Sequence, residues 1–369
     1  MRIVFWQNCI TPHQMPYITQ LLYDKRVDEV IVISDKELIS SRRKMGWNNN
    51  SVQNSDSFKV YIHPKNTLIE YILSEKSEET WHLFSGINAF PYISLVFKMS
   101  LKYNVKRGLI TERPYTFAFG CSNGKPLWLH RLRFFFQDQK YAKYIDKVFA
   151  MGDDAVKYFK SVYNGWSVTP FIYCTDFQYV VNKRTKANVN FCFVGSLSCR
   201  KSPKCIVKAA DMLHENVNIT YIGGGEEEGK IRKFIANRQN LKVQILGFQN
   251  MNKIPVLLAE QDVLILPSSY DGWGAVVNEA LQAGLYVICS DKCGAKDLLC
   301  NSLCGSVFES GNIVDLSKKM KYCIDNINEI RYTCQHRITW AKERISGSVI
   351  ASYMVDCLEG IVVKEPWKI

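Results

Sequence analysis

The sequence predicts an α/β protein with two doubly wound domains that face a central cleft, followed by C-terminal helices. The chain has 369 residues, which is enough for about two domains of ordinary size. Short runs rich in β-branched and aromatic residues alternate with segments of helix length, the pattern of βαβ units and parallel sheets. No apolar run approaches the 18 or so residues that span a membrane, so the sequence does not predict an integral membrane protein.

Twelve of these runs predict strands, six in each half of the chain. The first six are Arg2–Trp6, Glu29–Ser34, Phe58–Ile62, Thr80–Phe84, Arg107–Thr111 and Lys147–Met151. The second six are Asn190–Gly195, Val217–Ile222, Lys242–Leu246, Asp262–Leu266, Leu285–Ser290 and Gly305–Phe308. Beyond Leu316 only helical patterns remain.

The order of these runs predicts an N-terminal domain over residues 1–182 and a second domain over 190–340. Residues 183–189 between them are polar and basic without periodicity, which is typical of a linker. Residues 341–369 are expected to form a helical segment that packs back on the N-terminal domain. Because ligands of open α/β sheets bind beyond the carboxyl ends of the strands, we expect the chemistry in strand-to-helix loops.

Composition narrows the class of protein. Hydrophobic residues make up 47% and charged residues 22%, as in soluble globular proteins. The net charge of +12 indicates an acidic partner or surface. The thirteen cysteines show no C-x-x-C pair and no zinc spacing, which indicates a reducing cytosol. The N-terminus lacks the apolar stretch of a signal peptide, so a cytoplasmic location is expected.

The loop after the strand that ends at Leu266 carries the strongest signal of a ligand site. Gly272 and Gly274 allow backbone N–H groups to approach an anion at the start of the next helix. Asp271 precedes that helix and Glu279 lies on it, and carboxylates accept hydrogen bonds from sugar hydroxyls. A phosphate site beside hydroxyl acceptors indicates a nucleotide sugar.

Two other loops that follow predicted strands are candidates for phosphate binding. Arg200 and Lys201, after the strand that ends at Gly195, can neutralise a diphosphate, although taken alone they favour a solvated charge pair. Residues 223–225 are three glycines after another strand, but Glu228 stands where a dinucleotide loop requires its third glycine. We therefore set a nicotinamide cofactor aside.

The stretch from Phe191 to Phe308 resembles the donor half of glycosyltransferase family 4. The motifs that carry the resemblance are FVGSLSCRKS, LGFQN, DVLILPSSYDGWGAVVNEALQAG, VICSD, CGAKDLL and CGSVFESGN, over about a third of the chain. A looser resemblance in the first half rests on FWQNCITPHQMPY and LITERPY, which are similar to enzymes of bacterial surface polysaccharides. The family implies the GT-B architecture, in which two Rossmann-like domains face a central cleft.

The resemblance implies a role for each matching position. Glu279 would hold the nucleotide ribose, Asp271 would contact the donor sugar, and Arg200 and Lys201 would grip the diphosphate. The other donor-binding residues implied are Gly195, Phe248, Gln249, Gly272, Trp273, Gly274 and Ala275. Two positions depart from the family: Asp271 is one methylene shorter than the usual Glu, and Ser196 stands where many members have a second phosphate-binding Arg.

The N-terminal half offers four candidate residues for the cleft: His13, Gln14, Glu112 and Arg113. Glu112 follows the strand where many relatives place a His, and we consider it either part of the reaction centre or held by Arg113 in a structural ion pair. His13 and Gln14 follow the first strand, and ligand contact and ordinary loop packing are equally good explanations for them. Asp153 and Asp154 are expected to cap a helix rather than to bind a metal.

The resemblance implies a retaining transferase that moves a hexosyl or N-acetylhexosaminyl group from a nucleotide-diphosphate-sugar to an acceptor hydroxyl. It implies no cofactor and no metal, and the acceptor is expected to be a glycan or a lipid-linked sugar. The alternatives are a nucleotide-sugar epimerase of the same architecture, a hydrolase that uses Asp271 and Glu279 as an acid/base pair, and a non-catalytic sugar-nucleotide-binding subunit.

Residues 126–147 interleave aromatic and basic side chains. This pattern suits docking on an anionic membrane surface, which would make the protein peripheral on the inner face of the cell membrane. An aromatic core stripe beside a solvated basic face explains the same residues equally well. Nucleic acid is not expected as a partner, because no binding module for it is present.

Overall fold

The computed structural model describes residues 1–44, 46, 55–75, 77–116, 125–162, 167–175, 188–299 and 301–368. Two parallel sheets dominate this part of the chain. The first has seven strands in the order β3-β2-β1-β4-β5-β6-β7, and the second has six in the order β10-β9-β8-β11-β12-β13. Helices lie along the faces of both sheets, so the predicted α/β fold with two Rossmann-like domains is confirmed.

The strands take their numbers in chain order. They are β1 (Arg2–Cys9), β2 (Glu29–Lys36), β3 (Phe58–Ile62), β4 (Thr80–Phe84), β5 (Lys106–Thr111), β6 (Lys147–Met151), β7 (Val168–Phe171), β8 (Asn190–Val194), β9 (Val217–Ile222), β10 (Leu241–Ile245), β11 (Val263–Leu266), β12 (Tyr286–Ser290) and β13 (Gly305–Phe308).

The α-helices are numbered in the same way. They are α1 (Met15–Gln20), α2 (Ser40–Lys44), α3 (Asn66–Ser74), α4 (Pro91–Ser100), α5 (Leu127–Arg133), α6 (Asp153–Val162), α7 (Lys204–Asp211), α8 (Glu228–Ile235), α9 (Ile254–Ala259), α10 (Val276–Gln282), α11 (Ile313–Asp325), α12 (Ile327–Tyr332), α13 (Cys334–Ile345) and α14 (Gly347–Leu358). None of the helices in the described ranges is long and apolar enough to cross a membrane.

The burial of the central strands explains why these strands can be predicted from the sequence. In β1 the residues from Arg2 to Trp6 are all buried, because helices cover both faces of a parallel sheet. Val4 and Trp6 face a core shared with α3, α4 and α6, whereas Ile3 and Phe5 face a core that continues through α14 into the second domain. Continuous apolar runs of strand length follow from this burial on both faces.

All twelve predicted strands are present, with ends that differ by at most three residues. Strand β7 was not predicted, because it has only four residues and contains Pro170. Proline cannot donate to a neighbouring strand and is tolerated at a sheet edge, which is where β7 lies.

The connections between the domains differ in part from the prediction. Residues 183–187 of the predicted linker lie outside the described residues, and Val189 is already buried in the core before β8. The predicted boundary between residues 340 and 341 falls inside α13, which continues to Ile345.

The C-terminal helix α14 packs on the first domain. Arg26 forms ion pairs with Asp356 at 2.7 Å and with Glu359 at 3.0 Å. The Tyr353 hydroxyl donates to the carbonyl of Pro170 at 3.1 Å. The end of the chain therefore ties the two domains together on the side of the molecule where α1 and β7 lie.

Candidate functional site

The carboxyl ends of both sheets face a cleft that contains two adjoining cavities. The first cavity, of about 410 Å³, is lined mostly by loops of the second domain and is called here the C-terminal cavity. The second, of about 660 Å³, is lined by the first domain and is called the N-terminal cavity. Four residues of the first domain line both: His13, Arg42, Glu112 and Tyr173.

The structure brings nearly all the predicted site residues together. Those that line the C-terminal cavity are His13, Glu112, Gly195, Arg200, Lys201, Phe248, Gln249, Asp271, Trp273, Gly274, Ala275 and Glu279. Gln14 and Arg113 line the N-terminal cavity. Gly272 lines neither, but its backbone packs against Glu112, which does.

Asp271 is the centre of a charged cluster in the C-terminal cavity. Its carboxylate accepts a hydrogen bond from the Lys201 ammonium and one from the Ser268 hydroxyl at 3.4 Å, and Arg200 Nη1 lies 3.6 Å away. Burial alone would raise the pKa of Asp271, but the charges of Lys201 and Arg200 outweigh it, so that this pKa lies below its ordinary value. The acid is thus ionised and the cluster carries a net positive charge.

The alternative of a solvated pair does not describe Arg200 and Lys201. Arg200 Nη1 donates to the carbonyl of Tyr270 at 2.8 Å, and the Arg200 carbonyl accepts from the Ser269 amide at 2.9 Å. The Lys201 side chain is only 14% exposed. These bonds join the loop after β8 to the loop after β11, and they fix both cations at the cavity wall.

Glycine is required by the backbone of the loop after β11. Gly274 has a φ of +99°, and a Cβ there would lie 2.8 Å from the Leu266 side chain. A Cβ on Gly272 would overlap the carboxyl group of Glu112 and would lie 3.1 Å from the Glu112 Cβ. The glycine spacing found in the sequence therefore allows this loop to approach the first domain closely.

Glu279 lies in the first turn of α10 and faces the C-terminal cavity. Burial raises the pKa of Glu279 to about 7, and no cation among the described residues offsets this effect. No donor in the described part of the chain bonds its carboxyl group. The side chain is thus a hydrogen-bond acceptor turned toward ligand space.

Glu112 is held by the Tyr173 hydroxyl, which donates to its carboxyl group. Burial and then the charge of Asp271 raise the pKa of Glu112. The hypothesis that Arg113 pairs with Glu112 is wrong: Arg113 lies 3.5 Å from Asp154, donates to the Lys292 carbonyl at 2.9 Å and stacks over the Tyr270 ring.

His13 and Gln14 differ in their surroundings. Burial, followed by the charges of Arg42 and Lys201, lowers the pKa of His13 to about 3, so the ring is neutral at pH 7. A neutral imidazole can exchange hydrogen bonds with a sugar but cannot neutralise a phosphate. Gln14 is 7% exposed and accepts from the Thr11 hydroxyl at 3.0 Å.

The remaining predicted residues line the far wall of the C-terminal cavity. Phe248 is 45% exposed and packs against Gly224, and Gln249 donates to the Leu246 carbonyl at 2.7 Å. Gly195 packs against Gly223, where a Cβ would overlap the Gly195 carbonyl. The three-glycine loop set aside as a dinucleotide site thus shapes this wall by close backbone packing.

Sequence reasoning missed Arg42 and Tyr173. Arg42 comes from the short helix α2, and its charge lowers the pKa of both His13 and Glu112. Tyr173 follows the unpredicted strand β7. The one signal for Arg42 was a cluster of three basic residues, 42–44, which does not show which of them faces the cleft.

Asp153 and Asp154 are the first two residues of α6 and pair with basic residues. Asp154 pairs with Lys296 at 2.7 Å, and Asp153 pairs with Lys368 at 2.6 Å. Among the residues that the structure describes, no group of three or more His, Cys, Asp or Glu side chains could hold a metal ion.

Two Rossmann-like sheets whose carboxyl ends face one cleft define the GT-B class of fold. Residues 177–336 match the family model of the glycosyl transferases group 1. The predicted resemblance is therefore confirmed.

Curated relatives match a limited region. Over 155 residues the chain is 28% identical to the UDP-Gal:alpha-D-GlcNAc-diphosphoundecaprenol alpha-1,3-galactosyltransferase of Escherichia coli, a match that covers 40% of each chain. Over 109 residues it is 27% identical to the lipopolysaccharide glucosyltransferase WaaG of Escherichia coli K12, covering 29% of this chain and 28% of that one. The chain spans about two fifths of the length of the first of these relatives.

A solved structure matches the whole fold. Anabaena Alr3699/HepE in complex with UDP superposes with a TM-score of 0.70 over 98% of this chain and 100% of that chain, at 14% identity. At this identity the likeness extends to the GT-B fold alone.

Proposed function

We propose that the protein is a retaining glycosyltransferase that moves a sugar from a nucleotide-diphosphate-sugar to an acceptor hydroxyl in the synthesis of a bacterial surface polysaccharide or glycolipid. The observation that carries this proposal is the arrangement in the C-terminal cavity. The fixed cations Arg200 and Lys201 lie in the same cavity wall as Glu279, a carboxyl group with no donor of its own. A diphosphate joined to a ribose needs these two kinds of partner.

The named relatives support the choice of donor and product. The matched galactosyltransferase takes its sugar from UDP-Gal and acts on a diphosphoundecaprenol-linked sugar, and the matched glucosyltransferase acts on lipopolysaccharide. Anabaena HepE binds UDP. We therefore propose a UDP-sugar as the first donor to test, and a glycan or a lipid-linked sugar as acceptor.

In the proposed reaction the bond between the anomeric carbon and the diphosphate oxygen breaks, and the acceptor oxygen attacks from the same face. The departing diphosphate takes the acceptor proton, so no protein base is needed. Arg200 and Lys201 stabilise the negative charge that develops on this leaving group. Asp271 holds both cations in position and contacts the donor sugar, and no metal is required for charge balance.

Glu112 and its neighbours serve the acceptor side in this proposal. Glu112 lines both cavities, and its carboxyl group is close enough to Asp271 for that charge to raise its pKa. With its pKa raised, it can hold a hydroxyl of either sugar and align the two substrates. His13, Gln14 and Arg113 line the acceptor space.

The alternatives make different demands on the site. A hydrolase needs two carboxyl groups that flank one bond, whereas Asp271 is bonded to Lys201 and Ser268. An epimerase would use the same donor site without an acceptor cavity. A binding subunit would share every donor contact and release nothing.

A panel of nucleotide sugars tests these proposals together. We expect release of nucleoside diphosphate that depends on an added glycan or lipid-linked acceptor, with the product keeping the donor's anomeric configuration by NMR. Rapid release without acceptor would indicate a hydrolase, a new nucleotide-sugar isomer would indicate an epimerase, and binding without release would indicate a binding subunit. Each of these results would overturn the proposal.

A further inference from the structure

The segment from α5 to Tyr144 carries an unusual exposed surface. It consists of α5, a π-helical turn (Phe134–Asp138) and a 3-10 helix (Gln139–Tyr144). Six large apolar side chains of this segment are exposed, and the four most exposed are Leu132 at 45%, Trp128 and Phe135 at 60%, and Phe136 at 74%. Together with the cations Arg131, Arg133, Lys140 and Lys143 they are called here the α5 surface. Isolated exposed apolar residues are ordinary, but a contiguous group of this size marks an interaction site.

The exposed aromatic side chains do not serve the core. Phe134 is 6% exposed, and Tyr141 packs edge-on against Phe97 with ring centroids 5.5 Å apart, so these two anchor the segment. Trp128 and Phe136 point away from that core. The hypothesis that the whole segment is a core stripe is therefore wrong for the residues of the α5 surface.

The charges of the α5 surface have one sign. Arg131, Arg133, Lys140 and Lys143 are exposed. Lys147, which sequence reasoning grouped with them, instead donates to the Cys357 carbonyl on α14. The acids of the segment are occupied, because Asp138 accepts from Asn88 and Asp146 accepts from the Arg107 amide. Exposed apolar side chains on the same segment as exposed cations complement an anionic lipid surface.

The same segment forms a wall of the N-terminal cavity. His130, Arg133 and Asp138 line that cavity, and His130 is bonded to the carbonyl of Tyr115 at 2.8 Å. The α5 surface and the N-terminal cavity are thus two sides of one short stretch of chain. Whatever the surface contacts therefore lies beside a wall of the cavity.

We propose that the α5 surface docks on an anionic lipid bilayer, with Trp128, Leu132, Phe135 and Phe136 in the headgroup region and the four cations against lipid phosphates. Docked in this way, the N-terminal cavity opens next to the bilayer and takes an acceptor that is anchored in it. The statement on the acceptor rests on the proposed function, whereas the docking itself does not. Each cation near such a surface contributes about fivefold to the binding constant.

Vesicle sedimentation tests the docking without any sugar nucleotide. We expect the protein to bind vesicles of phosphatidylglycerol and phosphatidylethanolamine at low salt, to bind vesicles of phosphatidylcholine weakly, and to dissociate as salt rises to about 0.15 M, where screening acts over about 8 Å. The combined variant R131Q/R133Q/K140Q/K143Q should lose at least tenfold in binding. The variant W128S/F136S should lose a similar amount.

Matched control variants distinguish binding through the α5 surface from nonspecific binding of the protein to vesicles. Tyr23 and Tyr332 are 80% and 81% exposed on other parts of the molecule, so Y23S/Y332S controls for the loss of two exposed rings. The variant K233Q/K242Q/K318Q/K364Q controls for the loss of four exposed cations. Both controls should bind vesicles like the wild type, and all four variants should unfold at the wild-type temperature because every altered side chain is exposed.

Trp128 also reports where the protein sits. Brominated lipids should quench part of the tryptophan fluorescence of the bound wild type, and the W128F variant should bind but lose that quenching. Three results would overturn the docking. They are an absence of binding to anionic vesicles at low salt, losses of binding in the control variants equal to those in the α5-surface variants, and a W128S/F136S variant whose only effect is to dissociate a dimer. Donor binding by W128S/F136S should be unchanged; loss of vesicle binding beside intact donor binding keeps the two proposals separately testable.

Discussion

The backbone of Gly272 in the second domain packs directly against the carboxyl group of Glu112 in the first. There is no room for a side chain between them, so the position of Glu112 depends on the glycine and on the approach of the two domains. Through this contact the proposed acceptor side of the cleft touches the proposed donor side.

The variant G272A should therefore displace Glu112. We expect turnover to fall about 10- to 100-fold, since a small misplacement at a reaction centre costs this much, while the affinity for the nucleotide changes little. Steady-state kinetics with a saturating donor measure the effect. The control is G229A on α8, where an added Cβ meets nothing within 4 Å. Equal activities of G272A and the wild type would remove Glu112 from the reaction centre.

Glu279 should control donor affinity. The variant E279A should weaken donor use about 10- to 100-fold, because it loses a charge-assisted hydrogen bond to the ribose worth about 1.5 to 3 kcal/mol. Kinetics at low donor concentration report this loss, and circular dichroism should show that the fold survives. Unchanged kinetics in the folded variant would contradict the ribose assignment.

The same residue predicts a dependence on pH. Because the pKa of Glu279 is about 7 in the folded chain, its carboxylate forms as pH rises from 6 to 8, and affinity for a nucleotide sugar should rise over that range and then level off. The E279Q variant should bind more weakly and show no such rise. A wild-type affinity that is flat between pH 6 and 8 would contradict this role.

The free energy of unfolding should fall as pH rises, whereas donor affinity should rise. An acid whose pKa is raised on folding binds a proton in the folded chain that the unfolded chain has already lost, so stability falls as pH rises from the ordinary value toward 7. The E279Q variant avoids this cost. It should unfold at a higher temperature than the wild type at pH 8 and at a similar temperature at pH 5, measured by calorimetry.

Arg200 and Lys201 should act on turnover. The variants R200A and K201A should each lower it about 100-fold, the usual cost of removing a group that stabilises developing charge. K208A, an exposed lysine of the following helix, is the control. EDTA should have little effect. Strong inhibition by EDTA that Mg²⁺ or Mn²⁺ reverses would show that a metal balances the diphosphate instead.

Arg42 offers a test with a neighbouring control. R42A removes a cation that lowers the pKa of Glu112 and lines both cavities, and turnover should fall about 10- to 100-fold. Arg43 on the same helix is 66% exposed, and R43A should be nearly neutral. Similar effects of the two substitutions would assign the loss to the helix rather than to the Arg42 charge.

How much of the protein is predictable from its sequence depends on the range of the interactions. Strands buried on both faces leave continuous apolar runs, and the second-domain residues Arg200, Lys201, Asp271 and Glu279 follow such strands, so their loops could be placed. Arg42 lies in a cluster of three basic residues that does not show which of them faces the cleft, and Tyr173 follows a strand that the sequence does not predict. The adjacency of Glu112 and Arg113 was misleading, because Arg113 has its partners in Asp154, Lys292 and Tyr270.

Isothermal titration calorimetry with UDP tests the central claim, that the C-terminal cavity is the donor site, most directly. We predict that one UDP binds per chain, that E279A and R200A each weaken the binding at least tenfold, and that the K208A control leaves it unchanged. Absence of binding by UDP and by other nucleoside diphosphates, or binding that E279A and R200A leave unaltered, would contradict the account.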